Sequence, residues 1–201
     1  MWSRLVGQNG GRDLDVSLHR RAGAVRIGAG VTGYDTERLR IRPWTNTEAD
    51  LDRIFDIYRR WEVARWLGAT PRAMASRDEA VGAVDRWAAR SDGPFGVWAV
   101  EVRETGVVAG TVLLVRLPDS DDVEVGWHLH PDSWGNGYAT EAARGAIEHG
   151  FAHAVPEIYA VVRPDNEPSL AVCRRLGMRP LGRTERWYGT ELEAFVIGRT
   201  E

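Results

Sequence analysis

The sequence predicts an α/β fold with a mixed, mostly antiparallel sheet flanked by helices. Three observations carry that expectation. Residues 37–43 and 123–130 alternate polar and apolar side chains, the period of a half-buried strand. Leu51, Ile54, Phe55 and Tyr58 fall at helical spacing, as do Ala80, Val84 and Trp87. Residues 123–163 run strand, helix, strand, the unit of a right-handed parallel crossover. Short turns join the other strand pairs, which makes them antiparallel.

Residues 1–34 are glycine-rich and lack sustained periodicity, with five Arg against two Asp, while the rest of the chain is net acidic. They are expected to form a poorly structured extension, with a strand near 24–27 as the alternative. No apolar core follows a basic start, so they do not read as a signal peptide. The folded domain is expected over 35–201. Its first strand is 37–43. Thr45 or Asn46 can cap the helix that follows, with Glu48 and Asp50 at its positive end. Trp61 and Trp66 lie in a looser stretch closed by Gly68 and Pro71. A second helix is expected over 76–90, with Ser76 and Glu79 as a capping box. Strands at 95–103 and 107–117 turn at Glu104-Thr105-Gly106. A polar loop over 118–122 leads to the strand at 123–130, where Val123, Val125, Trp127 and Leu129 share one face and Glu124, Gly126, His128 and His130 the other. Pro131 ends it. A helix to about residue 154, rich in small residues, is followed by a strand at 157–163. A short helix capped by Asn166 stops at Gly177. Residues 186–198 read as a closing hairpin about Tyr188-Gly189.

Composition bounds the function. The chain has 201 residues, 43% hydrophobic and 27% charged, the profile of one ordinary globular domain. A net charge of -3 gives no basic excess to attract nucleic acid. No apolar run approaches the roughly 20 residues that span a membrane. The single cysteine, Cys173, permits no intrachain disulfide and points to a reducing, cytoplasmic setting. All 26 basic residues are arginine, so the protein offers no side-chain lysine of its own for acylation.

Chemistry concentrates after the central strand, in Trp134-Gly135-Asn136-Gly137-Tyr138-Ala139. A glycine turn that feeds a helix N-terminus offers unpaired amides at the positive end of the dipole, a site for phosphate or pyrophosphate. No GK[ST] follows and the GxGxxG spacing is absent, so neither the P-loop nor the dinucleotide motif fits. The run resembles the acetyl-CoA-binding motif [Q/R]xxGx[G/A] of the GNAT superfamily of N-acetyltransferases, with Trp134 where many members have Gln or Arg. WGNGYATEA preceded by EVGWHLHP, with TERLRIRP at the domain start, is most similar to the RimJ/RimL branch. A second segment, Asn166 to Ser169 followed by a helix and Leu176-Gly177-Met178, resembles the NxxS and LGF run that borders the CoA thiol in that superfamily. The resemblance covers about 36–200.

The resemblance implies a GNAT fold, acetyl-CoA as cosubstrate without a metal, and direct transfer to an amine. CoA contacts are then expected from Trp127, Leu129, Trp134, Gly135, Asn136, Gly137, Tyr138, Ala139, Thr140, Asn166 and Ser169, with backbone N–H groups near 127–129 aimed at the thioester oxygen. Aminolysis also needs a base for the amine and a proton for the thiolate. Glu124 is the candidate base, or else a solvated or ion-paired strand glutamate. His128, on the same face, is a second base or a cleft wall. Many GNAT enzymes place a tyrosine acid where this chain has Cys173. That thiol is either a donor or inert core. Ser169 and Tyr188 are the other donors. The implied acceptor is a protein N-terminus or a small amine, and a homodimer is possible. A catalytically inactive acyl-CoA-binding sensor or scaffold is the alternative.

Overall fold

A computed structural model describes residues 33–199 of the chain. The rest of the proposed N-terminal extension, including the strand weighed near 24–27, lies outside the described residues. One eight-stranded sheet organises them. Its strands are β1 (Tyr34–Asp35), β2 (Leu39–Pro43), β3 (Gly96–Val102), β4 (Val108–Arg116), β5 (Val123–Leu129), β6 (Glu157–Val162), β7 (Arg179–Thr184) and β8 (Leu192–Gly198), in the order β1-β2-β3-β4-β5-β6-β8-β7. Every neighbouring pair is antiparallel except β5 and β6. The mixed, mostly antiparallel sheet and flanking helices predicted from sequence are what the structure shows.

The strand alternation sorts side chains to two helical layers. Leu39, Ile41, Trp98, Val100, Val112, Leu114 and Val125 pack toward α4 (Tyr138–Ala152) and α5 (Glu167–Arg175). Ala99, one residue from Trp98 and Val100, packs instead with α1 (Glu48–Tyr58) and α3 (Asp78–Ala88). Small residues let α4 lie close to the sheet. A Cβ on Gly150 would stand 2.8 Å from Ile158 Cδ1, and one on Gly145 2.6 Å from Tyr34 Cε2. Among the described residues no helix is long and apolar enough to cross a membrane.

Local chemistry moves several boundaries. The cap of α1 is Thr47, not Thr45 or Asn46; its side chain accepts from the Asp50 N–H at 3.4 Å. Thr45 serves Asp50 instead, donating from N and Oγ1 at 2.9 and 2.7 Å, while Arg42 donates to both Asp50 oxygens. Burial pushes the Asp50 carboxyl up, but those donors outweigh it and hold it below the usual range. Helix α3 starts at Asp78 without a side-chain cap, and Glu79 reaches back to the Ala75 N–H at 3.0 Å, so Ser76 forms no capping box. Trp61–Ala64 is a short helix, α2, where a looser stretch was expected. The closing hairpin pairs β7 with β8 across a loop over 185–191; it does not begin at Arg186. RPLGRT hides its strand because it is an exposed edge that includes Pro180 and shifts register between Pro180 and Gly182, so no alternation survives.

The fold also reaches back past the expected start at residue 35. Tyr34 is 3% exposed, stacks on His149 and donates its hydroxyl to the Ala142 carbonyl at 3.1 Å. We propose that the boundary falls just before it. A chain starting at residue 33 should match the full chain in urea. One starting at 36 should lose about 3 kcal/mol or more, the cost of an emptied aromatic site. Equal midpoints would remove Tyr34 from the core.

Candidate active site

Strands β5 and β6 pair only at Val123↔Ile158 and Glu124↔Tyr159, then separate. Beyond those pairs, the facing edges of both strands have no sheet partner among the described residues. The gap opens into a cleft of about 200 Å³. Its walls are β5 from Glu124 to His128, β6 from Ala160 to Val162, and Asn166, Ser169, Tyr188 and Leu192. Trp66, Leu67 and Gly68 also line it, and Arg163 ties that segment in place by donating from Nη2 to the Gly68 and Ala69 carbonyls at 2.8 and 3.2 Å. An open strand edge can take an extended ligand through main-chain hydrogen bonds. Trp127 lines the cleft, whereas the Leu129 side chain is buried in the core.

Two titratable groups on one face of β5 are shifted in opposite directions. Burial raises the Glu124 carboxyl to about 7, and the hydrogen bond from Tyr188 Oη, 2.6 Å from Oε2, opposes that rise. Burial lowers His128 to about 4, so it is neutral at pH 7. The Tyr58 hydroxyl lies 3.1 Å from His128 Nδ1 and donates to Thr111 Oγ1 at 2.9 Å. The imidazole therefore lines the cleft in contact with Tyr58, and burial disfavours its protonated form at neutral pH. Glu124 is better matched to accept a proton near neutrality.

The glycine turn sits where β5 hands over to α4. Gly135 and Gly137 have φ of 79° and 78°, the left-handed region that glycine enters without strain. Gly137 caps α4, and the first helical bond is Glu141 N–H to the Gly137 carbonyl, so the N–H groups of Tyr138, Ala139 and Thr140 have no helical partner. Trp134 Nε1 donates to the Leu129 carbonyl at 2.9 Å, and Asn136 Nδ2 to the Ser133 and Trp134 carbonyls, which fixes the turn. Arg38 braces it from a distant part of the sequence. Its Nη1 donates to the Asn136 carbonyl at 3.0 Å, its Nε to Glu141 Oε2 at 2.7 Å, and its guanidinium lies 5.1 Å from the Tyr138 ring. Nothing local to residue 38 announces that role. The turn, the helix amides that lack helical partners and Arg38 together have the arrangement that can serve as an anion cradle.

Asn166 caps α5 as expected, accepting from the Ser169 N–H at 3.3 Å, and both residues line the cleft. Cys173 does not join them. It is 0% exposed in the core cluster, and burial pushes its thiol up to about 12. Cys173 is the seventh residue of α5, one turn beyond Ser169, where the helix packs in the core cluster and no longer borders the cleft, so it stands apart from the other candidates. Sequence spacing missed the Tyr188–Glu124 bond, because the two residues are 64 apart and meet only through the sheet.

Residues 38–179 match the family described as Acetyltransferase (GNAT) domain. A Bacillus subtilis (strain 168) protein called uncharacterized N-acetyltransferase YoaA is 30% identical over 151 residues, 74% of this chain and 83% of that protein. A GNAT-family acetyltransferase structure from Bacillus anthracis superposes with a TM-score of 0.69 at 21% identity, covering 83% of this chain and 98% of the other. Mycobacterium smegmatis RimJ, solved in complex with CoA-disulfide, gives 0.66 at 19% identity, covering 88% of this chain and 86% of the other. At those identities the two structures bear on the fold alone.

Gly137→Val tests the cradle. A β-branched residue at φ 78° is strained by roughly 1–2 kcal/mol, and its Cβ would stand 3.4 Å from Arg38 Nη2. CoA affinity by calorimetry should fall about tenfold, the equivalent of 1.4 kcal/mol. Unchanged affinity would remove the turn from the binding site.

Proposed function

The chain belongs to the GNAT acetyltransferase family, and we propose that it moves an acetyl group from acetyl-CoA directly to a primary amine. The single observation that carries this reading is Glu124, lining the cleft at the point where β5 and β6 part, with its carboxyl raised to about 7. In this reading the glycine turn and the free amides of Tyr138 to Thr140 hold the pyrophosphate. The open edges of β5 and β6, with Asn166, take the amide-bearing arm. The amine reaches the thioester neutral, and Glu124 removes its proton, directly or through one water, as the C–N bond forms. Backbone N–H groups of β5 near Trp127 to Leu129 stabilise the oxyanion. The C–S bond then breaks, and Ser169 supplies the thiolate with a proton. Its hydroxyl has no protein partner among the described residues. His128 shapes the wall, and Cys173 takes no part.

In this reading, supported by the resemblance of WGNGYATEA, the chain is of the RimJ/RimL type, with a protein N-terminus or a small amine as acceptor and the cytoplasm as location. The second reading, a sensor that binds acyl-CoA without turnover, is favoured by one observation: the family's tyrosine acid is replaced by a core cysteine.

Thiol release from acetyl-CoA, measured with and without N-terminal peptides and small amines, separates the two. Acceptor-dependent release is expected; confirmed CoA binding with silence across the panel would select the sensor. A base works only when deprotonated, so the rate should rise with pH through about 7 and level above it. Glu124→Gln should erase that limb and lower kcat about a hundredfold, with CoA affinity unchanged. An intact limb in that variant would dismiss Glu124 as base. Ser169→Ala should lower kcat about tenfold or more, while Cys173→Ala should cost stability and leave kcat alone. The reverse pattern would return the thiol to the mechanism.

A further inference from the structure

The loop over 185–191 between β7 and β8 is clamped beside Glu124. Three donors converge on Asp122 Oδ2, two residues before Glu124: Arg186 Nη2 at 2.8 Å, Trp187 Nε1 at 3.1 Å and Ser120 Oγ at 2.7 Å. The Trp187 ring is buried with Leu117 and Ala194, lies 5.4 Å from the Tyr159 ring, and carries the Arg186 guanidinium 5.0 Å from its centroid. The Gly189 N–H closes the turn on the Glu185 carbonyl at 3.1 Å. The next side chain after Trp187 is therefore delivered to a fixed place, and that side chain is Tyr188.

We infer that Tyr188 is the positioning residue for Glu124: its hydroxyl holds Oε2 and leaves Oε1, which has no partner among the described residues, for the amine or its water. This rests on Glu124 being the base. The phenol is a holder and not the acid for the thiolate. Its one hydrogen is committed to the carboxylate, and burial together with that neighbouring charge holds the phenol proton well above the ordinary range. The bond also limits how far burial raises Glu124. Other ionisable groups act on the pair from several elements. His128 and Arg163 line the same cleft, and Arg90 just past α3 acts on Tyr188. Tyr159, opposite Glu124 on β6, donates its hydroxyl to Glu157 at 3.1 Å, and Asp122 with Arg186 forms the clamp.

The test is Tyr188→Phe in the full chain, which keeps the ring and removes the donor. Glu124 is followed by carbon-13 NMR of side-chain carboxyls in glutamate-labelled protein, its resonance assigned by loss in Glu124→Gln. The midpoint should move up by about one unit, the size of a hydrogen bond to a charged group. The acidic limb of acceptor-dependent thiol release should move with it. Asp122→Asn, which weakens the clamp and keeps the ring and hydroxyl of Tyr188, should move the midpoint in the same direction by less. An unmoved midpoint in Tyr188→Phe overturns the inference. A moved midpoint with an unmoved rate profile supports the pairing and removes Glu124 as base, so the two readings fail separately.

Discussion

The whole arrangement depends on one constraint: β5 and β6 may pair for two residues and no further. Antiparallel neighbours on either side fix the outer edges of both strands, and α4 fills the space behind them. The facing edges are then left open, and an open edge in a protein interior is an unmet demand for hydrogen bonds. An extended ligand with amides along its length is the kind of group that can meet such a demand. The same parting of the strands puts Glu124 at the apex of the gap, where the last pairing residue of β5 faces the cleft.

Burial acts on both ionisable groups of that strand face in the direction of neutrality. It lifts Glu124 to about 7 and depresses His128 to about 4, so at pH 7 the histidine is neutral and the carboxyl is about half ionised. The tyrosines complete the setting. Tyr58 fixes His128 from α1 and Tyr188 fixes Glu124 from the final loop. The two groups share one face of β5 and are held from two different elements.

What the sequence shows follows range. The alternation of 123–130, the glycine turn and the Asn166 cap are local patterns, and each appears in the structure where the spacing places it. Capping residues shifted by a few positions because Asp50 recruits Thr45 and Arg42, a competition that counting from the helix start does not reveal. β7 was hidden because an exposed edge strand with proline and glycine has no buried face to alternate with. Arg38 and Tyr188 were out of reach for a different reason: each meets its partner across the sheet, and a single chain gives no register for contacts that distant. Cys173 shows the converse. Its motif position pointed to the cleft, but one turn beyond Ser169 the helix is already packed into the core.

The same edge strand bears on how copies of the molecule meet. β7 presents Arg179, Pro180 and Arg183 beside a register shift, and at the opposite border β1 is only two residues long. Among the described residues neither border offers a straight, unbroken row of amides and carbonyls, an arrangement that discourages another sheet from continuing this one. Crowding of this protein should therefore end in side-chain contacts that dilution reverses, and not in fibres.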